Sequence, residues 1–214
     1  MVADHCGCTV TAVNLTDEYR QTSRWLNRLV GLDDRISVRQ ADVTELRFSD
    51  GVFDVAISPH VQMNVADKAR LYSEATPSIG RRGPARLVGH HNWRTQRTCY
   101  PLPWADEPTR SHPVTSDELS AVVESSGFAS EHRNDLTDQA TALMQTFLAL
   151  PPNPLGLHAF VTNFAQKAEN LTLALADGRL RAIQAVLFRP SRNEQECRSR
   201  EHHGSGEAMN AQRD

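Results

Sequence analysis

The chain has 214 residues, 39% hydrophobic and 23% charged, with a formal net charge of -3; its pI is near 6.3 and its mean hydropathy is -0.48. That length suffices for one domain with a full core. The charge balance leaves no electrostatic footprint for nucleic acid or an anionic membrane, and no apolar run approaches the ~20 residues that span a bilayer. The opening "MVADHCGCTV" has no basic segment followed by a long apolar stretch, so no signal peptide is expected.

Four cysteines, Cys6, Cys8, Cys99 and Cys197, include a C-x-C pair without the C-x₂-C partner of a zinc site. Free thiols in a reducing cytoplasm are the expectation, with no metal centre. The adjacent pairs His90-His91 and His202-His203 do not change it, because chain neighbours do not share a face at ligand spacing.

In chain order, residues 9–14 read as a β-branched strand ending at Asn14. Residues 17–30 read as a helix, with Trp25, Leu26, Leu29 and Val30 at helical spacing, Thr16 as N-cap and Gly31 as stop. Residues 35–42 alternate around Ile36 and Val38 as a second strand ending at Asp42. Residues 51–58 are a third, nearly all apolar in the middle, as in a strand covered on both faces. A helix follows over 65–76, and a cleaner one over 116–128, capped by Ser116 and ended by Gly127. Blocks 137–150 and 157–176 read as helical, and 181–190 as a terminal strand. From 191 to 214 the chain is polar and expected to be a disordered tail.

Strands alternating with helices, with polar carboxyl tips, predict an α/β fold with a doubly wound, mostly parallel sheet over residues 1–190. Ligands of such sheets bind outside the carboxyl ends of the strands. Asn14, Asp42 and Ser58 are therefore expected along one edge.

The stretch "VTAVNLTDEY" and, most specifically, "ADVTELRFSDGVFDVAIS" resemble the class I S-adenosylmethionine-dependent methyltransferases. The likeness is closest to the small-molecule branch of ubiquinone/menaquinone, tocopherol and sarcosine/dimethylglycine enzymes. It runs well over 5–76 and moderately over 99–190, including "PLPWADEP" and "SDELSAVVESSGF". The resemblance implies a Rossmann-like fold, S-adenosylmethionine as cofactor and a small-molecule methyl acceptor (an amine, a phenol or a quinone-like ring). It assigns Asp42, with the Val43 backbone, to the adenine amino group. Position 14, with Leu15 beside it, falls at the ribose, and Ser58 beside the methionine part. The segment "HVQMN" (60–64) faces the acceptor, so His60 becomes a substrate-facing residue or general base and Asn64 a substrate contact. Trp104 becomes an acceptor-pocket wall.

Physical chemistry supports the pairings. A carboxylate only accepts, which suits the adenine N–H donors, and it binds a diol through two charge-assisted bonds. Methyl transfer from a sulfonium is an in-line displacement that rests on positioning and water exclusion. Trp104 offers an aromatic face to a methylammonium group. The plainer alternatives are a turn-capping Asp42, a loop His60 with an ordinary pKa, an N-capping Asn64 and a Trp104 that only packs.

Three departures stand out. The first strand and glycine-rich loop of the family have no counterpart here. Position 14 is an amide, which accepts through one oxygen and brings an unneeded donor. Residues 77–98, where only "ARLVG" looks strand-like, break the likeness as a shifted reading frame or local divergence would. A non-catalytic remnant is therefore the competing function. A dehydrogenase half lacks support, since no G-x-G-x-x-G follows the first strand.

Overall fold

The computed structural model describes residues 2–80, 97–151, 156 and 159–190, and the backbone alone of 86–94. The expected tail over 191–214, with Cys197, lies outside the described residues.

After a short helix α1 (Val2–Cys6), β1 (Val10–Asn14) and β2 (Ile36–Gln40) pair in parallel across α2 (Asp17–Leu29), with Val10 opposite Ile36 and Asn14 opposite Gln40. These strands form a sheet of their own. The second sheet runs β3–β4–β6–β5, from β3 (Val55–Pro59), β4 (Arg86–Arg94), β5 (Ala129–Asp135) and β6 (Leu180–Phe188). β3 and β4 are parallel, whereas β6 is antiparallel to both β4 and β5. The helices between them are α3 (Lys68–Ser78), α4 (Ser116–Ser125), α5 (Thr137–Ala149) and α6 (Phe164–Ala176).

Among the described residues no strand bridges β1 and β3, so each has an open edge. On β3 this leaves Val55 50% and Ile57 52% exposed, although strands of a covered parallel sheet are normally buried on both faces. The two sheets are joined by side contacts instead. Val43, just past β2, packs on the main core, which gathers Leu71, Tyr72 and Ile79 with Leu119, Phe128 and Leu187. Arg70 Nε donates to the Thr44 carbonyl at 2.9 Å. A second cluster, Leu102, Ala174, Leu175 and Leu180, holds the segment 99–107 against α6 and β6.

Several local expectations are corrected. The second strand ends at Gln40, so Asp42 lies in the turn beyond it. The third strand begins only at Val55, and α3 begins at Lys68. The cap of α3 is Asp67, whose carboxylate accepts the Arg70 N–H at 2.8 Å, and not Asn64. The cap of α4 is Thr115 rather than Ser116. Its hydroxyl accepts the Glu118 N–H while the Glu118 carboxylate accepts the Thr115 N–H, a capping box. The last long helix starts at Phe164. β4 extends to Arg94, well beyond "ARLVG", because nine residues of β6 pair along it.

Candidate cofactor and acceptor site

Asn14 closes β1. Its Oδ1 accepts the Thr16 N–H at 3.0 Å, turning the chain into α2. Its carbonyl accepts the Ala41 N–H at 3.0 Å, and Gln40 Nε2 donates to the Leu15 carbonyl at 3.0 Å. The β1 and β2 exits are thus stitched together, which brings Asn14, Leu15 and Asp42 to one edge; the Leu15 side chain is exposed.

Asp42 turns its Oδ1 toward Thr44, accepting from the hydroxyl at 2.7 Å and the backbone N–H at 2.8 Å. Those two bonds, the hydroxyl first, hold the carboxyl below its ordinary pKa. The group is exposed and its Oδ2 has no protein partner among the described residues.

Ser58 lies one residue before the end of β3, paired in register with Gly89. His60 follows with a left-handed backbone, φ 53°, an uncommon conformation for a side-chain-bearing residue. It lifts the chain off the strand tip into a short 3₁₀ turn, Gln62–Asn64. His60 and Asn64 are exposed.

Trp104 is half-buried on the second cluster, and its Nε1 donates to the Ser111 Oγ at 2.8 Å. The same segment returns to the 3₁₀ turn, where the His112 N–H donates to the Met63 carbonyl at 2.8 Å. Trp104 therefore sits on a strap tethered to the turn that carries Asn64.

Three residues with polar groups are buried on this stretch. Gln62 is fully buried, and among the described residues neither of its amide atoms has a partner. Tyr72 is buried, its hydroxyl has no partner among the described residues, and burial pushes its pKa up. Lys68 is 5% exposed and donates to the Val65 carbonyl; burial pushes its pKa down to about 8. Gln62 and Lys68 read as surface in sequence, and only packing turns them inward. Among the described residues no group of three or more His, Cys, Asp or Glu is placed to hold a metal. No described helix is long and apolar enough to cross a membrane.

As an edge for a nucleoside the arrangement fits at one end. The ionised Asp42 retains a free oxygen for an exocyclic amine. Asn14 Oδ1 already accepts from Thr16, so it offers a diol one remaining lone pair and the amide N–H donors.

Residues 1–83 match the methyltransferase domain family. The chain is 32% identical over 75 residues to a sarcosine/dimethylglycine N-methyltransferase of Halorhodospira halochloris, covering 35% of this chain and 27% of that one. It is 31% identical over 77 residues to a glycine/sarcosine/dimethylglycine N-methyltransferase of Actinopolyspora halophila, covering 36% of this chain and 14% of that one. The match thus spans about a quarter or less of these relatives' length. Among solved structures, the geranyl diphosphate C-methyltransferase of Streptomyces coelicolor superposes with TM-score 0.71 at 16% identity, over 89% of this chain and 66% of that one. The phosphoethanolamine N-methyltransferase 2 of Haemonchus contortus superposes with TM-score 0.73 at 12% identity, over 89% and 46%. The domain match covers both β1–α2–β2 and the β3 tip, and the chain has the fold of the class I S-adenosylmethionine-dependent methyltransferases.

Proposed function

We propose that residues 1–190 form one methyltransferase-like unit that moves a methyl group from S-adenosylmethionine to a small amine, phenol or quinone-like acceptor. The observation that carries this reading is the coincidence of the domain match, residues 1–83, with the strand exits bearing Asn14, Asp42 and Ser58. Asp42 Oδ2 would accept from the adenine amino group, with Val43 beside the ring. Asn14 and Leu15 would lie along the ribose, and Ser58 beside the methionine part. His60, Asn64 and Trp104 would face the acceptor, with His60 taking the proton that an amine or phenol sheds. In the transfer the acceptor's lone pair forms the new bond to carbon, and the carbon–sulfur pair returns to sulfur. The free thiols Cys6, Cys8 and Cys99 suit a cytoplasmic setting.

A second reading, a member that binds without transferring, is favoured by two features. The open edges of β1 and β3 leave the sheet divided, and the Asn14 oxygen, partly engaged by Thr16, stands where a carboxylate would offer a diol two charge-assisted bonds. Titration calorimetry with S-adenosylhomocysteine is the first test. A Kd above about 100 μM is expected, since a millimolar Kd corresponds to only about 4 kcal/mol. Absence of binding at several millimolar would remove the cofactor reading. Label transfer from S-adenosylmethionine at millimolar concentration to sarcosine, dimethylglycine, a phenol and a quinol then separates the transferring reading from the binding-only one.

A further inference from the structure

Cys6, Gly7 and Cys8 form the joint between α1 and β1, at the opposite end of β1 from Asn14. Both cysteines carry free thiols, Cys6 exposed and Cys8 half-buried. The Cys8 thiol donates weakly to the Val2 carbonyl, with the sulfur 3.8 Å away. That carbonyl lies four residues before Cys6 in α1, where the helical ladder takes the Cys6 N–H. The Cys8 sulfur is therefore seated against the peptide group that holds Cys6. The Cys6 side chain leans over the same turn, because helical side chains point back toward the amino end of their helix.

The chain between the two thiols lets them meet. Residues two apart keep their α-carbons within about 7 Å, and a disulfide bridges about 4.4–6.8 Å. Gly7 has a left-handed φ of 63°, and nothing stands within 4 Å of where a Cβ would be. The joint can tighten without striking a neighbour. A structural zinc site takes four donors, and among the described residues no three His, Cys, Asp or Glu are gathered to hold an ion. Chemistry that needs two sulfurs alone is what the pair can do.

We propose that Cys6 and Cys8 are a redox-exchange site, a dithiol that closes to a disulfide by reducing a small-molecule disulfide of the glutathione type. The exposed Cys6 thiolate attacks one sulfur of that molecule. Its S–S bond breaks, one half stays bonded to Cys6, and the other leaves as a thiolate that takes a proton. The Cys8 thiolate then attacks the Cys6 sulfur, the Cys6–Cys8 bond forms, and the second half leaves in the same way. The protein gives up two electrons and two protons, which the small disulfide receives as two thiols. Strained or exposed disulfides are readily reduced. A reducing compartment therefore keeps the dithiol, and an oxidising one closes the ring.

Peptide mapping without reduction tests the site. The full chain carrying Cys99→Ser and Cys197→Ser leaves only this pair to react. Oxidised glutathione at about pH 8 supplies the small disulfide, since the thiolate is the nucleophile. A loss of two hydrogens, located between Cys6 and Cys8, is expected. About a tenfold excess of reduced glutathione should reverse it. Cys8→Ser in the same background should retain glutathione on Cys6 at least about tenfold more than the intact pair does, because no second thiol displaces it.

An intact pair that keeps glutathione on Cys6 as fully as Cys8→Ser would overturn the proposal, since the closing step would then be missing. So would a disulfide formed between two chains, or a pair left unmodified by oxidised glutathione.

Discussion

Thr44 binds Asp42 twice through one carboxylate oxygen, by its hydroxyl at 2.7 Å and its backbone N–H at 2.8 Å. The pair fixes the turn that follows β2 and leaves the second oxygen free at the edge where the cofactor is proposed to bind. Because the folded-state pKa is depressed, the stabilisation is present above the unfolded value of about 3.9 and is lost as pH falls through the lower folded value. Thr44→Ala should therefore move the Asp42 carboxyl titration upward, read by carbon-detected NMR between about pH 2 and 5. At neutral pH the carboxylate stays ionised in both proteins. Asp42→Asn should weaken S-adenosylhomocysteine binding about tenfold, the difference between a charge-assisted and a neutral hydrogen bond. An unchanged Kd would move the adenine elsewhere.

Asn14→Asp should do the opposite. One carboxylate oxygen can keep the Thr16 N–H bond now made by Oδ1, and the other becomes an acceptor for a ribose hydroxyl. A gain of about 1 kcal/mol, roughly fivefold in Kd, is expected from calorimetry. Equal or weaker binding would place the ribose away from the β1 tip.

Lys68 sets a pH dependence of stability. Its ammonium is buried against the Val65 carbonyl and its pKa falls to about 8, below the unfolded value of about 10.4. Between those values the unfolded chain holds the proton more tightly, so stability should rise with pH from about 8 to about 10 and level off outside that window. Lys68→Met removes the desolvation cost and should raise stability at pH 7 by about 1–3 kcal/mol, with the slope above pH 8 abolished. Calorimetric melts across pH 6–10 would show it; a destabilised Lys68→Met protein would mean that the ammonium meets a partner in solution.

The open edge of β3 predicts association between chains. Unpaired strand edges recruit other chains, and Val55 and Ile57 make this one apolar. The chain should scatter light increasingly on warming and melt below the usual mesophile range of about 45–65 °C. Val55→Lys with Ile57→Lys should suppress the scattering, because edge charges block pairing. A sharp melt above ~50 °C without scattering would show that the edge is already covered.

The sequence by itself determined the elements whose residues carry a period. β1 and β2 were legible from β-branched alternation, α4 from Leu119, Val122 and Val123 on one stripe, and β6 from its apolar run. The likeness to the methyltransferase domain was legible in "ADVTELRFSDGVFDVAIS" because strand, turn and strand tip each keep their chemistry locally. Tertiary structure alone decided the rest. β5, "ASEHRND", is polar throughout and reads as loop; it is a strand because β6 offers it an edge along Ala129–Asp135. β4 reaches Arg94 for the same reason, since hydrogen bonding to a neighbour needs backbone and not side-chain pattern. The inward polar face of α2 and the burial of Gln62 and Lys68 were equally hidden. A helical stripe shows which residues are alike, but the surface that each face meets depends on neighbours far away in the chain.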